Sequence, residues 1–485
     1  MHPNTNAAKF KGEIENYLRN GQNHLDSRID RIFASLKIKT WLCRANIIKK
    51  DGYHAAHLLF VLTILPMLKI KTVHSFCKKH WQHWSLGRKD SFYRFKDNAN
   101  YRWRSFFYKV NAQIFKQTQL DQLCRNDIHA VIDDTILVKL GKKLENVCYH
   151  YDHTLGRSVL SYCLVTLGLF TGHGFYPVDF AYYFSKKRNA KTPFVIGDPR
   201  SSSGQRSFEA DKYTKLELAF MLIERAVGSG IVPGYVLFDS WYGWPVLINR
   251  IRSLKDKSIH VICRLKDSKV KYEYQGKAYQ LSELYQKTKH GLRKDHRTGL
   301  VLKRVTVLLP GSKDKAVIVF SRGYCEPQVD EPKGKKKEKE PKWVAFLCTD
   351  TRLQVSTIIK KYTKRWPIEV CFKECKQMLD LGKDQSNSFN AQVFATTASF
   401  MRYNLLNYMN KFDNHCTLGE LFDHLTDQSA VISYAHRLWD FFRALFRVSL
   451  STLFDILKIN EGFQPYFTAL TEAVSDLRPF QGCET

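Results

Sequence analysis

What this sequence lacks narrows its class. Its twelve cysteines include no Cys-x-x-Cys pair and no dense framework. That scatter excludes a disulfide scaffold or a zinc knuckle and suits reduced thiols in a cytosolic compartment. Cys77, His80 and His83, with His74 upstream, are loosely spaced like ligands, but on an aromatic helix they read as ordinary packed or exposed side chains. No apolar run is long enough to cross a bilayer. The strongest, residues 58–68, is short, contains Pro66 and reads as a buried helix. The polar start, Met-His-Pro-Asn-Thr-Asn, has no apolar stretch behind it, so no secretory signal is expected.

Acidic side chains are also scarce. Asp plus Glu number 46 against 76 Lys plus Arg, a formal net charge of +30. Such an excess on a globular composition points to a polyanionic partner, most simply DNA or RNA. The 44% hydrophobic and 13% aromatic content excludes a disordered basic protein. At 485 residues the chain can form two to four packed units.

Residues 1–120 read as a helical N-terminal DNA-binding region. Within it, arginines alternate with aromatics over residues 91–107. That texture suits a helix along DNA, and equally an amphipathic helix with core aromatics and snorkelling arginines. From residue 128 the chain turns strand-like. Residues 128–138, 158–171, 174–184, 235–239 and 260–265 are predicted strands, with helices over 210–227 and 244–254. Three hairpin-connected strands, a helix, then two strands linked by a helix is the order of a ribonuclease-H-like sheet.

The predicted fold is therefore α/β: a ribonuclease-H-like mixed-sheet core in two parts, 121–266 and 354–412. A β-rich insertion, 267–353, interrupts it and contains a charged loop at 326–342. Residues 413–485 form a helical C-terminal region with ten acidic against five basic side chains, unsuited to gripping DNA and a candidate dimer contact.

One late segment carries chemistry. In Tyr362-Thr-Lys-Arg365-Trp-Pro-Ile-Glu369, continued to Lys376, four polar side chains stand at offsets of about 0°, 300°, 340° and 320° on a single helix over 356–381. A carboxylate can hold a divalent metal, and Arg, Lys and Tyr can clamp phosphate oxygens. An exposed Glu–Lys ladder would account for the stripe alone. Two further acids change the balance. Asp133 or Asp134 lies inside an apolar strand, where an unpaired charge is costly, and Asp239 ends another. With Glu369 they make a set that could hold two Mg²⁺ ions for phosphodiester cleavage. A simple ion pair of one acid with Lys139 or an arginine is the structural alternative.

These residues resemble the tyrosine–arginine–glutamate–lysine motif of bacterial DDE transposases, specifically the insertion-sequence 4 group. Asp134-Thr135 is similar to that group's first-strand Asp-Thr, and Phe238-Asp239 to its second acid. Lys342-Trp343 before an apolar strand is also similar. The resemblance covers about 128–411.

It implies that Asp134, Asp239 and Glu369 bind catalytic Mg²⁺, with Mn²⁺ as a substitute, and that Tyr362, Arg365 and Lys376 contact phosphates. It implies that Trp343 stacks on a flipped base, although Trp343 also suits a core position. Asp133 beside Asp134 leaves the first ligand open, because alternation puts the two on opposite faces. The implied activity is binding of terminal inverted repeats, cleavage, and joining of 3′ ends to target DNA by a homodimer in the bacterial cytoplasm, at the nucleoid. A nuclease or resolvase without joining, and a non-catalytic DNA-binding descendant, are the alternatives.

Overall fold

The computed structural model describes residues 25–426 apart from 85–88, 153–154, 173, 189, 297–298, 313, 325–342, 413–416 and 424. The charged loop and nearly all of the C-terminal region, with its expected dimer contact, lie outside the described residues. The chain divides into two compact units, the larger comprising Thr40–Ile48 and Tyr93–Asn414.

Among the described residues six helices precede the sheet: α1 (Leu25–Ser35), α2 (Ile38–Arg44), α3 (Ala55–Ile64), α4 (Val73–Trp84), α5 (Lys89–Lys96) and α6 (Trp103–Gln117). The apolar run near residue 58 is a buried helix, as expected; Leu58, Leu59, Val61, Leu62 and Ile64 of α3 are all inside. In the smaller unit Phe33 meets Phe60 edge-on at 5.6 Å. The side chains of His80 and His83 lie outside those described.

The alternating aromatic–arginine stretch resolves towards packing. Phe92, Phe95, Tyr101, Trp103, Phe106 and Phe107 are all buried. In the larger unit Trp103 and Phe95 close on Phe394 at 4.9 and 5.8 Å. Arg104 turns to Glu209 at 2.9 Å.

Among the described residues twelve strands form one mixed sheet. They are β1 (His129–Val138), β2 (Cys148–Asp152), β3 (Arg157–Phe170), β4 (Phe175–Tyr183), β5 (Tyr235–Phe238), β6 (His260–Leu265), β7 (Lys271–Tyr274), β8 (Lys277–Gln280), β9 (Arg293–Lys294), β10 (Val301–Leu308), β11 (Lys315–Arg322) and β12 (Val344–Cys348). β1 pairs antiparallel with β3, and β3 antiparallel with β4. On its other edge β1 pairs parallel with β5, and β5 with β6. The order β4-β3-β1-β5-β6 is the ribonuclease-H-like core that the element order implies. β2, unforeseen, pairs with the start of β3. Gly168 belongs to the β3–β4 bulge, where a Cβ would fall 2.1 Å from the Phe175 ring.

Between β4 and β5 run α7 (Ser202–Lys212) and α8 (Lys215–Gly228), where a single helix was expected. Thr214 breaks it. Its side chain accepts from the Glu217 N–H while Glu217 accepts from the Thr214 N–H, a reciprocal cap that starts a new helix. Buried Asp179 of β4 ties these helices down, accepting from Arg225 at 3.0 Å. Burial would raise its pKa, but Arg225, Arg104 and Arg206 outweigh burial and hold it below the usual value.

After β5 come α9 (Pro245–Arg252), then α10 (Leu281–Thr288) within the β-rich insertion. The insertion extends the core sheet: β12 lies antiparallel on β6, and β11 and β10 follow outward. The chain then returns through α11 (Val355–Tyr362), a 3₁₀ turn (Thr363–Arg365), α12 (Pro367–Met378) and α13 (Phe389–Phe412). The expected single helix over 356–381 is thus two. Pro367 lacks an N–H and opens α12 at its first position.

Candidate active site

The site begins with a register. β1 and β5 run parallel with His129 opposite Tyr235 and so on to Ile132 opposite Phe238. The next residues along are Asp133 and Asp239, so the two acids follow one registered pair at the C-terminal end of β5. Crevices outside the carboxyl ends of parallel strands are where α/β sheets bind ligands. The chain turns sharply after Asp239, whose carboxylate accepts from the backbone N–H groups of Trp241 at 2.9 Å and Tyr242 at 3.4 Å.

α12 and the 3₁₀ turn before it face β1. Arg365 donates from Nη1 to Asp133 Oδ2 at 3.1 Å and from Nη2 to Glu369 Oε1 at 2.6 Å. Its side chain is only 5% exposed. Two positions along β1 from Asp133, Thr135 Oγ1 accepts from Lys376 Nζ at 2.7 Å. Asp133 and Thr135 therefore share the face of β1 that meets Arg365, Glu369 and Lys376.

Two family comparisons cover this framework. The family described as DDE superfamily endonuclease matches residues 60–297, and the one described as Transposase DDE domain matches residues 215–405. Together they include both aspartates of β1, Asp239, Glu369 and Lys376. Both matches are to DDE families and support a DDE-superfamily chain. It is accordingly a DNA transposase or endonuclease of a class that uses divalent metals. Comparison with curated proteins gives no match. Among the described residues no helix is long and apolar enough to cross a membrane.

In this DDE chain Asp134 faces away from Asp133, as strand alternation requires. Its Oδ2 accepts from Lys215 Nζ at 2.8 Å, where α8 begins, and its Oδ1 from the Tyr242 hydroxyl at 2.8 Å. Cys163 Sγ of β3 lies 3.5 Å from Oδ2. Burial, then the Asp134 charge, push the Tyr242 phenol well above its usual pKa. Lys139 takes no part; it donates to the carbonyls of Gly382 and Asp384.

Asp133 sits in an electrostatic conflict. Burial raises its pKa well above the usual carboxylate value and Asp239 adds to the rise; Arg365 opposes both, while Asp134 and Glu369 push upward again. Asp239 is raised too, first by burial, with Arg365 and the Trp241 N–H working against it. Burial, joined at Asp133 by the Asp239 charge, thus outweighs the one guanidinium here. Hard carboxylate oxygens with uncompensated charge fit a divalent cation such as Mg²⁺. As the side chains stand, no three His, Cys, Asp or Glu residues among those described enclose a metal position. Arg365 occupies the space between Asp133 and Glu369.

The remaining expected residues are spread out. Tyr362, at the end of α11, is buried with its ring 4.9 Å from Phe346. It does not share one continuous helical stripe with Glu369 and Lys376, because the 3₁₀ turn and Pro367 intervene. Burial lowers the Lys376 pKa. Trp343 stacks on Tyr285 at 4.7 Å and 18° and meets Phe320 edge-on at 5.5 Å.

Lys215 and Tyr242 were not anticipated from the sequence. Tyr242 follows Asp239 within Asp-Ser-Trp-Tyr-Gly-Trp, an aromatic cluster against a candidate acid that could have signalled it. Nothing local in the sequence marks Lys215.

Proposed function

We propose that this chain is a cut-and-paste transposase of the insertion-sequence 4 group. It binds the terminal inverted repeats of its element, cleaves them by two-metal phosphodiester hydrolysis and joins the 3′ ends to target DNA. The observation that carries the reading is the Asp133–Arg365–Glu369 bridge beside Asp239, set at the end of two registered parallel strands. Asp133, Asp239 and Glu369 are the carboxylates we assign to Mg²⁺, with Mn²⁺ as substitute. Divalent metal there would supply an activated water or 3′-hydroxyl and charge stabilisation on the leaving oxygen.

The resemblance aligns Asp134 with the family's first acid, whereas the register supports Asp133. In our reading Asp134 is a brace, holding Lys215 and Tyr242 against the back of the strand. Arg365 and Lys376 are the phosphate contacts, with Tyr362 supporting them from its buried position. The +30 charge supplies the general grip on DNA. Two ends held at once imply a homodimer on DNA, acting at the nucleoid.

The test uses purified protein, DNA carrying the element's ends, a plasmid target and Mg²⁺. Joint products are expected. Cleavage without joint products would favour an endonuclease, and no metal-dependent cleavage would favour a DNA-binding descendant.

A further inference from the structure

Three arginines crowd two carboxylates where α6, α7 and α8 meet β4. Arg104 of α6 reaches Glu209 of α7 at 2.9 Å and Asp179 of β4 at 3.4 Å. Arg225 of α8 donates to Asp179 at 3.0 Å and lies 3.6 Å from Glu209. Arg206 of α7, only 3% exposed, donates from Nη1 to the Phe180 carbonyl at 3.1 Å. Burial, then Arg104, push its pKa down to about 9, so it is still a cation at neutral pH. Tyr108 donates to Asp179 at 3.2 Å and stays a neutral phenol, because burial pushes its pKa up. Three positive charges therefore face two negative ones. Donors are in excess too. Arg206 Nη2 and Arg225 Nη2 are buried with no hydrogen-bond partner among the described residues, and Arg104 Nε is not aligned for a bond to Asp179.

We propose that Arg104, Arg206 and Arg225 hold one monovalent inorganic anion of halide size, chloride in ordinary solution, as a structural ligand. All three guanidinium groups act on the same two carboxylates, so their spare N–H groups belong to one cluster. A water molecule could take those donors but would leave the extra positive charge buried and unpaired, which is costly. One net positive charge matches one negative charge. A dianion such as sulfate would instead reverse the sign beside Asp179 and Glu209. The side chains of Arg104 and Arg225 are 18% and 23% exposed, which gives a small ion a way in. Once bound, it fastens three helices to β4, and it does so independently of the transposase reading.

The experiment melts the full chain in chloride-free buffer to which sodium chloride is added, with sodium gluconate holding the ionic strength constant. A ligand that binds only the folded state raises the melting temperature along a saturating curve. The wild type is expected to follow such a curve with chloride and with bromide. Arg225→Met should raise the half-saturating chloride concentration about tenfold to a hundredfold, the worth of one charge-assisted hydrogen bond. Arg206→Met, which removes the excess charge at similar length, should abolish the response. Arg200→Met alters an exposed pair with Asp198 elsewhere on α7's approach and should respond like the wild type. Anomalous scattering from wild-type crystals soaked in bromide locates the ion directly, whether or not the Arg206 variant folds.

Bromide between the guanidinium groups, with a saturating chloride response lost in Arg206→Met, is the result expected. Equal melting in chloride and gluconate, a full chloride response in Arg206→Met, or bromide found only at other positions would each overturn the site. None of these outcomes bears on cleavage or joining of DNA, which are measured separately.

Discussion

Arg365 donates to Asp133 across 3.1 Å although 232 residues separate them in the chain. The same guanidinium holds Glu369, four residues further on. One buried cation therefore ties β1 to α12, more than two hundred residues further along the chain. Burial above all, and at Asp133 the Asp239 charge as well, push these carboxyls above their usual values despite that cation.

Neighbouring aspartates should separate by function. Asp133→Asn is expected to abolish cleavage with DNA binding kept. Asp134→Asn should lower stability by about 1–3 kcal/mol through the loss of charge-assisted partners for Lys215 and Tyr242, with cleavage reduced but present. Single-turnover nicking beside thermal melting checks both. Full nicking by Asp133→Asn would move the ligand to Asp134.

A pH dependence follows from the raised Asp133 carboxyl. In the folded protein its neutral form is favoured, so its contribution to stability is fully present below the unfolded value near 3.8. That contribution is lost as pH rises through the higher folded value. Metal-free Asp133→Asn should therefore melt above the wild type at neutral pH, with the gap closing below about pH 4. A gap that stays constant over that range would contradict the conflict at this residue.

Arg365→Gln removes the cation shared by Asp133 and Glu369. Breaking a buried pair on one side costs roughly 3–5 kcal/mol, so the metal-free variant should melt lower. Added Mg²⁺ should recover more stability in Arg365→Gln than in the wild type, because the carboxylates no longer have an internal counterion. Equal Mg²⁺ responses, measured by melting, would argue that Arg365 and metal do not compete.

DNA affinity should fall steeply with salt, since phosphate contacts displace condensed counterions. Binding isotherms across a salt series test this. A log–log slope near zero would not fit an interface driven by the +30 charge.

Trp343→Ala should lower the melting temperature and weaken nicking and joining together, because the change removes a ring stacked on Tyr285 and set against Phe320. Normal melting with a defect confined to one step would instead point to a direct role with DNA.

Much of this was legible in the one-dimensional pattern. Apolar β-branched runs marked β1, β3, β4, β5 and β6, and their order with the intervening helices determined the ribonuclease-H-like core. The candidate acids were visible as charges in or at the ends of apolar strands. The excess of basic residues pointed to a polyanionic partner. What the pattern could not decide was the face each side chain takes. Asp133 and Asp134 are adjacent, and only the registry of β1 with β5 and the arrival of α12 show which one meets Arg365.

The same holds for the aromatics. Trp103 is buried, while Trp241 and Trp244 are exposed, yet all three lie in similar aromatic surroundings in the sequence. Even the four-residue stripe from Tyr362 to Lys376, drawn on an ideal helix, is cut by a 3₁₀ turn at Thr363–Arg365. Period and composition are set by local sequence. Registry, burial and ion pairing depend on packing between segments far apart in the chain, so they exist only once the sheet and its last helices have come together.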